Sequence, residues 1–117
     1  MEITVHTRHL DIPDELRELA LEKAQHLERF LDGAQKADII FSKDHAARDE
    51  GHVSCEISVV AHGRVVRVRA SGHQPTVALE TAVVKETQRL TRMQDRLVHR
   101  SRPRHGAVGS KAMEPSD

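Results

Sequence analysis

Aromatic residues are nearly absent from the sequence, in which Phe30 and Phe41 are the only two and neither Trp nor Tyr occurs. The core of this chain must therefore be built from Val, Ile, Leu and Ala. The shortage also argues against recognition of single-stranded bases by stacking, because that mode relies on exposed aromatic rings.

Cysteine and long apolar runs are also scarce. Cys55 is the only cysteine, so an intrachain disulfide is excluded. We find no run of 18 apolar residues and no charged-then-apolar leader. These absences predict a reduced, soluble, cytoplasmic protein with no membrane partner. A length of 117 residues fits a single domain.

Sequence motifs for catalysis and metal binding are missing as well. The nine histidines include no H-x-x-x-H pair, and a C-x-x-C pair cannot form with one cysteine. Cys55 falls within a strand-like apolar alternation, which predicts burial rather than a reactive thiol. No glycine-rich phosphate loop is present. The sequence therefore predicts a protein that is not an enzyme and has no metal, cofactor or small-molecule substrate.

Charge is abundant and segregated, although the formal net charge is zero. Residues 1–63 contain 7 Lys and Arg against 13 Asp and Glu, whereas residues 64–104 contain 10 against 3. The second segment thus carries an excess of seven positive charges. Such an excess is typical of a surface that binds the phosphate backbone of a nucleic acid.

Hydrophobic periodicity predicts six elements. Pro13 and Pro75 are placed to begin helices, Gly33 suits a left-handed residue after the first helix, and Ala61 to Arg64 predicts a hairpin turn. The predicted elements are a strand at 1–7, a helix at 13–31, strands at 37–43, 52–61 and 65–71, and a helix at 75–100. We expect a loop at 44–51, a domain over residues 1–100 and a flexible tail at 101–117.

This order, β-α-β-β-β-α, predicts an α+β fold. Three strands joined by short loops favour an antiparallel meander, and a right-handed crossover through the first helix brings the first strand into the same sheet. Each helix has one apolar stripe, so both should cover one face of a four-stranded mixed sheet in a two-layer sandwich. Arg67 and Arg69 should then lie on the other face with Glu56.

The last helix combines an apolar stripe with a basic one. At about 100° per residue its apolar residues form one stripe and its cations the next. The apolar stripe contains Leu79, Val83, Leu90, Met93 and Leu97, and the basic stripe contains Lys85, Arg89, Arg92, Arg96 and Arg100. Two interpretations follow: a solvated cationic face on an amphipathic helix, or an edge offered to a polyanion.

The layout resembles a known family over residues 1 to about 100. A first strand ending in Thr7-Arg8-His9, the helix ELRELALEKAQHLERFLDG, the meander and the helix VALETAVVKETQRLTRM together resemble the ribosome hibernation-promoting factors. These proteins are also called ribosome-associated inhibitors or factor Y. The chain departs from the family pattern at HQPTVALE, and it has Lys85-Glu86 where the family tends to have Lys-Leu, which puts an acid near the packing stripe.

The resemblance implies a stress or stationary-phase factor that occupies the mRNA and tRNA channel of the small ribosomal subunit. Its partners would be the small subunit and its rRNA, whose phosphates the protein contacts while it inhibits translation. Carried over by position, the rRNA-binding residues are Arg8, Lys23, Arg67, Arg69, Lys85, Arg89, Arg92 and Arg96. The alternative is a protein-interaction or regulatory module that keeps the fold without ribosome binding. The oligomeric state stays open.

Overall fold

A computed structural model describes residues 1–43 and 52–101. The elements are β1 (Glu2–Arg8), α1 (Asp14–Leu27), β2 (Ala34–Lys43), β3 (Val53–Ala61), β4 (Arg64–Gly72) and α2 (Pro75–Ser101). Their order and class confirm the predicted α+β fold. The predicted loop at 44–51 and residues 102–117 of the predicted tail lie outside the described residues, whereas Ser101, the first residue of that tail, ends α2 instead.

The four strands form one sheet in the order β1-β2-β3-β4. β1 is parallel to β2, and the other two pairings are antiparallel, so the meander and the place of the first strand in the same sheet were both predicted correctly. Val5 lies beside Ile39, which in turn lies beside Ile57. This register aligns the apolar side chains of three strands on one face of the sheet.

Both helices cover that apolar face, α1 over β1 and β2 and α2 over β3 and β4. Ile39 and Phe41 point into the core, whereas Ile40 lies on the open face beside Glu56. This resolves the ambiguity left by three consecutive apolar residues. The core from the strands consists of Ala37, Ile39, Phe41, Cys55, Ile57, Val59, Ala61, Val68 and Ala70. The helices add Leu16, Ala20, Ala24, Leu27, Ala78, Leu79, Ala82, Leu90 and Met93.

The first helix ends earlier than predicted. α1 stops at Leu27, and a 3₁₀ turn (Glu28–Phe30) follows it, so the predicted extension to residue 31 is wrong. Leu31 is extended with φ −148° and is fully buried, which a continuing α-helix would not allow. β2 begins at Ala34 rather than residue 37, because β3 continues far enough to pair with Ala34 across a register irregularity.

The β3–β4 hairpin turn is confirmed. His62 has φ 56° and Gly63 φ 72°, the positive values that a two-residue hairpin turn requires. The His62 ring then donates from Nε2 to the Asp32 carbonyl at 2.6 Å. Gln94 of α2 makes two hydrogen bonds to the same residue. Its side chain accepts from the Asp32 N–H at 2.9 Å and donates to the Asp32 carboxylate at 3.1 Å. We call His62, Asp32 and Gln94 the turn clamp.

Candidate nucleic-acid interface

The basic stripe of α2 lies beside the open edge of β4, and a groove runs between them. One part of this groove encloses about 530 Å³ and the other about 440 Å³. Arg67, Arg89 and Arg92 line both parts. We call this feature the α2–β4 groove. Its cations are Arg64, Arg67, Arg69, Lys85, Arg89, Arg92 and Arg96, and Glu56 is the one acid in the lining.

Strand alternation places the β4 arginines at the groove. Val68 and Ala70 are buried towards the helices, which leaves Arg67 and Arg69 on the open face, as predicted. Because a two-residue turn closes the hairpin with a hydrogen-bonded pair, Arg67 and Arg69 occupy non-hydrogen-bonded positions. Their backbone groups therefore point to the open edge of β4.

Lys85 fixes α2 to this edge. Its ammonium group donates to the Arg69 carbonyl at 3.1 Å, so the carbonyl is not left open to another strand. The groove edge of β4 is thus lined by cations and partly capped by one of them. A phosphate group suits this lining better than the backbone of a further β-strand does.

Serine hydroxyls hold the two β4 arginines across the open face of the sheet. Arg67 Nε donates to Ser58 Oγ at 3.0 Å, and Arg69 donates to Ser54 Oγ at 3.3 Å. Arg67 also lies 4.0 Å from the Glu56 carboxylate. The Arg67 side chain remains 61% exposed, so this surface ion pair leaves most of its guanidinium accessible.

Glu86 lies within the buried stripe of the same helix. Its side chain is 0% exposed, and it lies one turn from both Ala82 and Leu90. Neither carboxylate oxygen has a hydrogen-bond partner among the described residues. Burial raises the pKa of Glu86 to about 8, against an opposing effect of Arg89. The group is therefore mainly protonated at neutral pH.

Cys55 is a core residue, as predicted. It is fully buried on the helix-facing side of β3. Burial, with a smaller contribution from Glu56, raises the pKa of the thiol to about 12. The thiolate is the nucleophilic form, so this cysteine is chemically inert in the folded protein.

Two of the eight predicted site residues lie apart from the groove. Arg8 ends β1, which is the opposite edge strand of the sheet, and Lys23 is half-buried on α1. Neither lines the α2–β4 groove. The other six predicted residues all line it. Arg100, also in the predicted basic stripe, lies in the last turn of α2.

Sequence reasoning left Arg64 and Gln88 out of the predicted site, although both line the groove. Arg64 directly follows the hairpin turn, so the predicted turn was a signal for its position beside the basic strand. No pattern marked Gln88, which is an ordinary polar residue of an exposed helix face. The serines that hold Arg67 and Arg69 became identifiable only with the strand register.

Other types of site are not found in the described part of the chain. Over residues 1–43 and 52–101, no three His, Cys, Asp or Glu side chains are grouped to hold a metal ion. Among the described helices, none is both long and apolar enough to span a bilayer.

Fold and groove together define a two-layer α+β domain with an arginine-rich edge. The chain belongs to the family described as "Sigma 54 modulation protein / S30EA ribosomal protein", which it matches over residues 3–98. This membership confirms the resemblance inferred from sequence. The family is non-enzymatic.

One curated relative is the "Ribosome hibernation promotion factor" of Mycobacterium tuberculosis, 37% identical over 98 residues. The match covers 81% of this chain and 44% of that protein, so the chain spans less than half of the relative's length. Among solved structures, the N-terminal domain of Thermus thermophilus Protein Y is 26% identical with a TM-score of 0.66. The superposition covers 80% of this chain and 99% of that domain.

A ribosomal subunit interface protein from Coxiella burnetii has the same fold. It superimposes with a TM-score of 0.67 at 20% identity. The superposition covers 81% of this chain and 99% of that one.

Proposed function

We propose that this protein binds the small ribosomal subunit through rRNA phosphates and inhibits translation by occupying the channel for mRNA and tRNA. The observation that carries the proposal is the α2–β4 groove, in which seven cations face one acid. The protein catalyses no reaction, and its action is steric occupancy. A protein with this role acts in the cytoplasm, where ribosomes translate.

The lining of the groove favours phosphate contacts over reading of base sequence. Guanidinium groups bind phosphate oxygens in bidentate fashion, and the groove presents six of them. Phe30 and Phe41 are the only aromatic residues, and Phe41 is buried in the core. Recognition of structured RNA by shape and backbone is the mode that remains.

The names of similar proteins support a ribosomal partner. The relative from Mycobacterium tuberculosis is called a ribosome hibernation promotion factor, and the Coxiella burnetii protein a ribosomal subunit interface protein. Protein Y of Thermus thermophilus has the same fold in its N-terminal domain. The groove supplies a physical means by which this chain would act on the same partner.

Arg8 and Lys23 belong to the proposal as a second contact. They lie on β1 and α1, whereas the groove lies between α2 and β4. An rRNA surface that touches both sets must wrap around the domain or approach it from two sides. A channel wall of folded RNA can do so, which agrees with a protein that fills a passage.

Co-sedimentation with purified small subunits tests the proposal. We expect the wild-type protein to pellet with subunits at low salt and to be released at high salt, because phosphate binding releases counterions. Lys85→Glu/Arg92→Glu should remain in the supernatant at low salt. The matched control is Arg29→Glu/Lys43→Glu, which makes the same change in net charge at exposed residues outside the groove.

The control should pellet like the wild type. If the wild-type protein stays in the supernatant at low salt, ribosome binding is contradicted, and the alternative of a protein-interaction module takes its place. If both double variants lose binding equally, the interaction depends on net charge and the groove is not its site.

A further inference from the structure

Glu86 is a buried carboxyl group that the proposed function does not use. It lies in the apolar stripe of the helix that carries Lys85, Arg89 and Arg92 to the groove. A buried polar side chain normally has a hydrogen-bond partner, and both oxygens of Glu86 have none among the described residues. Burying the charged form would carry a desolvation penalty that no partner offsets. The helix therefore packs on the sheet with Glu86 in its neutral form.

Arg89 connects this buried group to the groove. It lies three residues further along α2, which makes the two side chains neighbours on adjacent turns of the helix, and it lines both parts of the groove. The Arg89 guanidinium favours the ionised form of the Glu86 carboxyl group. A phosphate seated on Arg89 would cancel that effect.

Other titratable and charged groups lie on the elements that pack against α2. β3 faces α2 with the Cys55 thiol, whose pKa of about 12 keeps it neutral. The β4 arginines lie on the open face of the sheet. On α1, Arg17 and Lys23 are half-buried, and Arg17 donates to the Val5 carbonyl on β1. The 3₁₀ turn next to α2 has two exposed charged residues, Glu28 and Arg29.

We propose that, in alkaline solution, Glu86 takes up a proton when RNA binds in the α2–β4 groove, so that binding weakens as the pH rises. This inference rests on the proposed function and concerns regulation of the same site. Neutral Glu86 lets α2 stay docked on the sheet, with its cations aligned along β4. The ionised carboxylate opposes that docking and also attracts Arg89 away from phosphate.

Proton linkage determines whether RNA affinity rises or falls with pH. Bound phosphate stabilises the protonated form of Glu86, so the bound protein holds more protons than the free protein near pH 8. Affinity is then highest when Glu86 is already protonated, and it falls as pH rises through the free-state pKa. Each unit by which binding raises the pKa corresponds to about tenfold in affinity.

Affinity for purified small subunits, measured by anisotropy of the labelled protein between pH 7 and 9, tests the inference. We expect the dissociation constant of the wild type to rise roughly three- to tenfold over this range. Glu86→Gln keeps the shape and cannot ionise, so its dissociation constant should stay level. Glu86→Leu supplies a second non-ionisable side chain, in case the buried amide perturbs packing. Glu80→Gln removes one exposed acid from the same helix and should behave like the wild type.

The possible results are distinct. Equal pH dependence in wild type, Glu86→Gln and Glu86→Leu overturns the inference and leaves the proposed function standing. Failure of the wild-type protein to bind subunits at any pH contradicts the proposed function, and the inference falls with it.

Discussion

Glu86 shows how one residue can oppose the stability of its own helix. A leucine would fill the same volume in the apolar stripe without a desolvated carboxyl group. We therefore expect Glu86→Leu to raise the free energy of unfolding by about 1–3 kcal/mol at pH 7. Denaturant titration followed by circular dichroism measures this change. A destabilised Glu86→Leu protein would mean that the carboxyl group has a stabilising partner.

The same substitution should change how stability depends on pH. The pKa of Glu86 is about 8 in the folded protein against an ordinary value of 4.5, so the folded state binds this proton more tightly than the unfolded chain does. Below pH 4.5 Glu86 is protonated in both states, and the stability of the protein declines as pH rises from there to about 8, where the folded state also loses the proton. Glu86→Leu should lack this decline, and repeating the titrations at pH 5 and 9 tests that expectation.

Among the elements, the turn between the 3₁₀ helix and β2 is set by a glycine. Gly33 has φ +80°, and a Cβ there would lie 2.9 Å from the His62 ring. Gly63 has φ +72° with open space around it. Replacing either glycine with Ala introduces backbone strain of about 1 kcal/mol. Gly33→Ala also introduces a steric clash in the turn clamp. Gly63→Ala is the matched control.

Thermal unfolding of the two variants compares these costs. We expect both to melt below the wild type, with Gly33→Ala the lower. Equal melting temperatures would show that His62 moves aside without loss and that the turn clamp contributes little. A hydrogen-exchange comparison at the Asp32 amide, which donates to Gln94, locates the effect.

The elements themselves could largely be predicted from the sequence. Periodicity identified both helices and all four strands, because each element has one apolar face that matches its own repeat. The ends of α1 and β2 were less predictable. Leu31 is extended so that it can reach the core, and Ala34 joins a strand because β3 offers it a partner. Both results depend on contacts with residues distant in sequence.

The candidate site was predictable in part for a similar reason. The basic stripe of α2 and the alternation of β4 are local patterns, and the exposed face of each element was predicted correctly from them. The two patterns meet in one groove because β4 is an edge strand beside α2. This placement depends on the order of the strands in the sheet. The separation of Arg8 and Lys23 from the groove follows from that same order.

At the scale of the whole molecule, the fold turns a charge-neutral chain into one with a positive edge. The cations of the second half are collected along α2 and β4, while the acids Glu15, Glu18 and Glu22 are exposed on α1. An RNA approaching from the α2–β4 side thus meets positive charge first. Orientation on the ribosome, and not only affinity, should follow from this asymmetry.

Directed cleavage of rRNA from a single tethered probe tests that orientation most directly. Gln88 lines the groove and is exposed, so Gln88→Cys provides an attachment point for an iron chelate that generates hydroxyl radicals. The native Cys55 should remain unlabelled, because its thiol is buried and has a pKa of about 12. Gln25→Cys, at an exposed position on α1, serves as the matched probe.

In complexes with small subunits, the account predicts strong rRNA backbone cleavage from the probe at position 88. That cleavage should fall within the channel for mRNA and tRNA, should disappear with Arg92→Glu, and should map to different nucleotides from any cleavage by the probe at position 25. Cleavage from position 25 alone, or from position 88 only at sites outside the channel, would contradict the claim that the α2–β4 groove binds rRNA there.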